Sequence, residues 1–289
     1  LMKDMPKAAE RIWLGIDAGE RITVYGDYDV DGISASSLLY LFLKDCGADV
    51  NTYIPERKSE GYGLNIDALN HLAEAGTTLV VTVDCGISAV KEIAGAPKTL
   101  DIVVTDHHTP PEVLPEAYAL VNPHQKDCNY PFEHLSGVGV AFKLCQALYK
   151  MRFPDKPLWD GNTEFVALGT VADIVPLWGE NRALVKHGLK KMETTENIGL
   201  KALIEKSRCP VKDITSENIG FILAPRLNAV GRLEHAQLAV ELLTAQDEAR
   251  AAEIAEVLNE ENTLRQKISR EIFMDAEKML AQYEHCLLY

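Results

Sequence analysis

Residues 24 to 34 read VYGDYDVDGIS, with aspartates at alternate positions 27, 29 and 31 between the β-favouring run ITVY and an apolar stretch, LLYLFL. Like charges this close raise the cost of ionising one another, so their company needs a reason. A turn supplies part of one, since Asp-Gly at 31 and 32 starts turns and Asp31 or Ser34 can cap the helix that follows. A calcium loop does not. D-x-D-x-D-G matches the opening of an EF-hand, but the twelfth position counted from Asp27 is Leu38 rather than a glutamate, and a strand rather than a helix precedes it. What remains is a carboxylate cluster at the carboxyl end of a strand, where open α/β sheets bind ligands and where a cation would relieve the repulsion.

Two further strand ends carry the same kind of residue. TLVVTVDCGIS places Asp84 directly after an apolar run, and DIVVTDHHTPP places Asp106, His107 and His108 after another. Taken singly, Asp84 is a helix cap and either histidine a loop residue; in a parallel sheet all three ends open on one edge, and it is this convergence that points to a site. Asp173, in LGTVADIVPL, ends a stretch of small residues just before the stop imposed by Pro176. Carboxylates with one imidazole suit Mn²⁺ and tolerate Mg²⁺. Two such ions about 4 Å apart turn water into hydroxide and stabilise both oxygens of an in-line phosphoryl displacement, with one bridging carboxylate holding the spacing. Asp106 is expected either to orient a histidine through a hydrogen bond that fixes its tautomer or to act as a cap.

The elements that must position these groups follow from a repeating rhythm. ITVYG, DVNTYI, TLVVTV, DIVVT and YALVN are short β-branched runs separated by helix-length or loop-length segments, which predicts an α/β fold with a doubly wound parallel sheet. A stretch rich in proline, glycine and charge, MRFPDKPLWDGN at 151 to 162, precedes a mainly helical part. The expected division is a sheet domain over 1–150, a helical part over 151–246, and from 247 to 289 a connecting element. Apolar positions from Ile254 to Tyr283 keep a helical period there, as one long amphipathic helix or two in tandem. At 289 residues and 47% apolar content the chain buries a sizeable core. No apolar run is long enough for a membrane span and no leader opens the sequence, so a cytoplasmic protein is expected. The six cysteines form no CxxC pairs, as suits reduced thiols, and a net charge of −14 weighs against a generic nucleic-acid coat while allowing a local cationic groove.

DYDVDG, VDCGIS, TDHHTPP and GTVADIVPL together resemble the motifs of the DHH phosphoesterases, a superfamily named for the Asp-His-His triplet that stands here at 106 to 108. PERKSEGYGL, LSGVGVAFKL and APRLNAVGRL resemble its RecJ branch, the single-strand-specific 5′ to 3′ DNA exonucleases of repair and recombination. The resemblance implies that Asp29 and Asp31 bind two metal ions, that Asp84 bridges them, that His107 and Asp173 complete the second site, and that His108 faces the scissile phosphate. Related phosphatases carry a histidine where this chain has Tyr25, and Asp27 is the candidate to replace it. Arg57, with Tyr62, and the group Arg226, Asn228 and Arg232 flank the same edge, and guanidinium forks match phosphate well. The resemblance assigns Arg57 and Arg232 to the 5′-terminal phosphate.

GVGVAF at 137 to 142 either offers backbone N–H groups to a phosphate or reflects close packing. The segment from Arg182 to Arg208, with seven basic residues against three glutamates, is either a solvated helix face or a strand-tracking one. Members of the branch continue past the long helix into a second lobe, which is expected to be absent from these residues. The rivals are a DHH phosphodiesterase acting on short oligonucleotides or cyclic dinucleotides, and a metal-silent DNA-binding scaffold. Arg57→Ala or Arg232→Ala is expected to weaken use of 5′-phosphorylated strands far more than of 5′-hydroxyl strands, measured as kcat/KM on the paired substrates; equal losses contradict the assignment.

Overall fold

The computed structural model describes residues 1–56, 61, 63–231 and 236–280. Each of the five β-branched runs becomes a strand: β1 (Arg21–Gly26), β2 (Asp49–Tyr53), β3 (Thr77–Val83), β4 (Asp101–Thr105) and β5 (Ala119–Val121). They form one parallel sheet in the order β2-β1-β3-β4-β5. Both faces are covered, which is why the strands read as almost unbroken apolar runs. Alternate side chains divide between two cores: Leu79, Val81, Val83 and Val103 face one, while Val80, Ile102 and Val104 face the other. Against the first pack α1 (Met5–Asp17), α2 (Val30–Asp45) and, later in the chain, the helix of residues 137–152; against the second pack α3 (Ile66–Glu74) and α4 (Val90–Ala94). The protein is thus α/β and doubly wound, as expected.

From β1 the chain runs outward to β2 and then returns across β1 to β3, so the winding reverses between β1 and β3. The crevice outside such a reversal is where open sheets hold ligands. The register Gly26↔Val83 brings the two following residues, Asp27 and Asp84, to that crevice together.

The remainder is helical: α5 (Gly137–Arg152), α6 (Thr163–Ala172), α7 (Gly179–Met192), α8 (Ile198–Lys206), α9 (Ser216–Asn218), a wider π turn (Ile219–Leu223), α10 (Ala224–Gly231), α11 (Ala236–Leu243) and α12 (Glu248–Leu280). The stretch 151–162 joins α5 to α6, and both of these helices pack on α2. Buried side chains of α2, α5, α6, α8 and α11 belong to a single hydrophobic core. Serines 34, 36 and 37 are buried on α2 and let its neighbours approach closely on several sides. α12 is one continuous helix of 33 residues, about 50 Å long at the usual rise. Its first turns bury Ala251, Ile254, Ala255 and Leu258, whereas Ile268, Ile272 and Phe273 further along are exposed.

Cys46, Cys85, Cys128, Cys145 and Cys209 are free thiols. Among the described residues no helix is long and apolar enough to cross a membrane. Phe165, fully buried on α6 in the shared core, is a position where packing can be tested. Phe165→Ala is expected to cost about 3–5 kcal/mol in urea denaturation, while Ile268→Ala, on the exposed part of α12, changes stability by less than about 0.5 kcal/mol.

Candidate metal centre

Asp29 is the N-cap of α2: its carboxylate accepts from the Asp31 and Gly32 amides at 2.9 and 3.0 Å, a gain of the kind that fixes where a helix starts. That start aims the Asp31 side chain across at α5, whose first two amides, Gly137 N–H and Val138 N–H, donate to its two oxygens at 2.6 and 2.9 Å. The backbone at 137 and 138 therefore serves a carboxylate of the protein itself. Close packing is also required here. A Cβ on Gly137 would stand 2.4 Å from Asp84 Oδ1, and one on Gly169 would stand 2.5 Å from Asp31 Oδ1. Asp84 follows β3 with φ +61°, a left-handed conformation that is strained for a residue other than glycine and that marks functional sites.

Three groupings result, each with ligand atoms within 4.8 Å of one another: Asp27, Asp29 and Asp84; Asp31, His107 and Asp173; and Asp84, His107 and His108. Asp84 occurs in two of them. His107 shows what the arrangement lacks. One ring nitrogen donates to the Leu135 carbonyl, and burial together with the charge of His108 lowers its pKa to about 4, so the ring is neutral and Nε2 presents a lone pair. That lone pair lies 3.1 Å from Asp84 Oδ1, 3.6 Å from Asp173 Oδ2 and 3.9 Å from Asp31 Oδ2. Both Nε2 and Asp84 Oδ1 are buried and without a hydrogen-bond partner. Acceptors facing acceptors in a buried space fit a divalent cation, and five carboxylates with one imidazole make an oxygen-rich donor set.

The carboxyls respond as such a cluster must. Burial first, and then the charge of Asp29, pushes Asp27 up to about 7. The same two causes bring Asp173 to about 6. Asp31 is held well above the ordinary range by burial and by Asp173 and Asp29, and Asp84 by burial and by Asp31 and Asp29. Asp106 behaves in the opposite way. Burial would raise it, but the hydrogen bond and charge of His108, with the Ile87 amide, outweigh that and keep it low. It accepts from the backbone N–H of Ile87, His107 and His108 at 2.9, 2.7 and 3.0 Å and meets His108 Nδ1 at 2.8 Å. Chiefly through that bond, His108 rises to about 9 and is a half-exposed cation beside the cluster.

Residues 21–170 match the model of the DHH family, N-terminal domain. A crystal structure described as exonuclease RecJ bound to manganese superposes with a TM-score of 0.86 at 34% identity, over 98% of this chain and 71% of that one. The chain belongs to the DHH family, in its RecJ branch. A RecJ from Thermus thermophilus in complex with Mn²⁺ superposes at 0.83 with 33% identity, over 95% of this chain and 40% of that one. The single-stranded-DNA-specific exonuclease RecJ of Bacillus subtilis is 44% identical over 97% of this chain, which spans 35% of that relative's length. The chain thus spans 35%, 47% and 51% of the length of three curated RecJ relatives it matches.

The family's Asp-His-His triplet divides here into a buried neutral ligand geometry at His107 and a charged, outward His108 held by Asp106. Tyr25 is buried on the far face of the sheet, its hydroxyl donating to the Gly63 carbonyl. The expected substrate residues fare differently. Arg57, Tyr62 and Arg232 lie outside the described residues. Arg226 sits on α10, and its guanidinium is engaged inside the protein: Nη1 donates to the Ile222 carbonyl at 2.6 Å and Nε to Asn259 at 3.0 Å. The widened turn at 219–223 places that carbonyl in reach, so Arg226 joins α10 to α12. Asn228 is half-buried on α10. What sequence reasoning missed is the supporting frame, namely the Leu135 carbonyl and the close approach at Gly169. The GxG pattern before α5 and the Gly-Thr in GTVAD were its only trace.

In a chelator the carboxyl cluster gives a definite pH dependence. Asp27, Asp31, Asp84 and Asp173 keep protons in the folded state that the unfolded chain releases near pH 4, so stability falls as pH rises from about 4 to about 7. His107, lowered, opposes this between about 4 and 6.5 but is one group against four, and His108, raised, extends the fall towards about 9. Thermal melts in EDTA between pH 5 and 9 are expected to show Tm decreasing throughout; a flat or rising profile contradicts these ionisation states.

Proposed function

We propose that this chain carries the hydrolytic centre of a metal-dependent exonuclease that removes nucleotides from the 5′ end of single-stranded DNA. The observation that supports it most directly is the pair of ligand groups, Asp27, Asp29 and Asp84 against Asp31, His107 and Asp173, which adjoin on one sheet edge where His107 Nε2 lies 3.1 Å from Asp84 Oδ1. Relatives matched over most of this chain are named single-stranded-DNA-specific exonucleases, and solved ones were obtained with Mn²⁺ and with Mg²⁺. Two ions, Mn²⁺ or Mg²⁺, held by those residues would supply an activated water and charge stabilisation at the phosphorus.

The protein's own groups do the rest. Asp84 holds the two ligand sets at a fixed separation, and its left-handed backbone keeps the carboxylate turned into the space between them. Neutral His107 offers Nε2, which has no hydrogen-bond partner within the protein. His108, protonated at neutral pH and held at Nδ1 by Asp106, carries a second ring hydrogen at Nε2 that can be donated to a phosphate oxygen or to the departing oxygen. Four hydrogen bonds keep Asp106 ionised, so it steadies the ring without taking its proton.

Asp84→Asn is expected to remove Mn²⁺ binding and hydrolysis together, and His108→Ala to lower kcat by about 10²-fold or more with Mn²⁺ binding intact. Calorimetry with Mn²⁺ separates the two, and unchanged uptake of two ions by Asp84→Asn contradicts the ligand assignment. End-labelled single strands of DNA and RNA test the activity itself: stepwise release from the 5′ end of DNA is expected, whereas cleavage confined to oligomers of a few nucleotides or to cyclic dinucleotides overturns the exonuclease reading.

A further inference from the structure

Trp178 is 54% exposed, an unusual position for the largest apolar side chain, while Trp13 is buried and Trp159 half-buried. It stands at the N-cap of α7, five residues beyond Asp173. Its ring is backed edge-on by Phe132 and His134, both with centroids 5.3 Å away at interplanar angles of 82° and 60°. Edge-on neighbours fix an indole without covering its face. His134 continues to His124 at 6.3 Å, and Asn122 ties His124 to the centre, accepting from the His124 amide at 2.8 Å and donating from Nδ2 to the His108 carbonyl at 2.9 Å. The aromatic row thus runs from the carboxylate cluster outward.

The row is anchored to the centre by its backbone. Buried Asn181 donates to the His134 carbonyl at 2.6 Å and to the Pro176 carbonyl at 3.1 Å, clasping the two loops that carry the rings. The next carbonyl, that of Leu135, receives the His107 ring hydrogen. One turn of α7 beyond Trp178 comes Arg182 and a further turn on comes Lys186, at a spacing of four that puts them on one face. Both are exposed, they line a shallow cavity of about 440 Å³ with Leu177 and Leu189, and neither has an ion-pair partner among the described residues. An aromatic platform next to free cations is the pattern that binds a single strand without regard to its sequence, each base having a face to stack and each phosphate a charge to meet. A protein partner would explain the exposed indole but not the row of rings leading from the carboxylates.

We infer that Trp178 stacks a base of the single strand a short way from the scissile phosphate, and that Arg182 and Lys186 take phosphates of the same strand along α7. The inference rests on the single-strand function proposed above, so its test is a binding measurement that needs no hydrolysis. With the intact chain in EDTA, oligo-dT is titrated while tryptophan fluorescence and the anisotropy of a labelled strand are followed. The wild type is expected to bind with quenching. Trp178→Phe should bind nearly as well without that quenching, and Trp178→Ala should bind five-fold or more weakly. An oligomer of abasic sites should bind wild type and Trp178→Ala alike. The Arg182→Ala/Lys186→Ala double variant should lower the slope of log K against log salt by about 1.4, at about 0.7 per lost single-strand phosphate contact.

Unchanged quenching in Trp178→Phe, or equal loss on dT and abasic strands, overturns the stacking role and leaves the exonuclease proposal standing. An unchanged salt slope overturns the path along α7. A wild type that takes up Mn²⁺ but binds no single strand in EDTA overturns this inference, and one that also binds none with Ca²⁺ at the centre overturns the single-strand function with it.

Discussion

The structure turns on a repulsion that it does not itself resolve. At the reversal point of the sheet a histidine lone pair faces the carboxylate of Asp84 at 3.1 Å, with Asp173 and Asp31 close behind. His107 Nε2 and Asp84 Oδ1 are both buried without a hydrogen-bond partner. Such an arrangement survives only if the surroundings hold each group more firmly than the repulsion drives it away. Asp31 is held by two α5 amides, Asp29 by two α2 amides, Asp106 by three backbone amides, and His107 by a carbonyl. These bonds come from the backbone rather than from flexible side chains. The ligands are therefore set in place before any cation arrives, and a cation gains the full relief of the repulsion without reorganising the site.

Two neighbouring histidines show how little is needed to divide roles. His107 and His108 are adjacent in sequence, with rings 4.5 Å apart. One is buried with its outer nitrogen pinned to a carbonyl, and loses its proton; the other is half-exposed and hydrogen-bonded to an aspartate, and keeps it. The charge of His108 itself helps to lower His107, so each state supports the other. Substituting either residue thus alters the protonation of its neighbour, and the kinetic losses at the two positions should not add.

Much of this was legible in the chain because strand and ligand are contiguous. TLVVTVD and DIVVTDHH encode a buried strand and the residue at its end in one stretch, and a parallel sheet leaves those ends only one edge on which to meet. Contacts that span the chain were not legible. Asp31 finds its amides 106 and 107 residues away, and no local pattern distinguishes a GVG that cradles a phosphate from one that clasps a carboxylate. The internal hydrogen bonds of Arg226 were illegible for a related reason. An arginine in a loop of suitable composition looks available, yet the π turn one step earlier presents a carbonyl that claims it, and a one-residue widening of a helix leaves no mark on apolar periodicity. The stretch at 151 to 162 has the composition of a linker but connects two helices that share a core, a fact set by packing on α2 rather than by the stretch itself.

The overall charge of −14 then takes on a specific meaning. A polyanion approaching this edge meets the carboxyl cluster first, and without cations that cluster offers it no attraction. Two divalent ions would bring four positive charges to a cluster of four or five negative ones, leaving it close to neutral, and the fixed positive charge of His108 together with Arg182 and Lys186 would then decide the sign of the field. Strand binding and ion binding at the centre are consequently linked, and each must tighten the other. Away from the centre, contacts along α7 do not depend on the ions. On the inference drawn above, a strand would be held by the aromatic row and its cations before the centre is loaded, separating the holding of a substrate from its hydrolysis. That division follows from the placement of charge: the clustered carboxyls lie at the sheet edge where ions can answer them, while Arg182 and Lys186, which have no ion-pair partner among the described residues, lie one and two turns along α7.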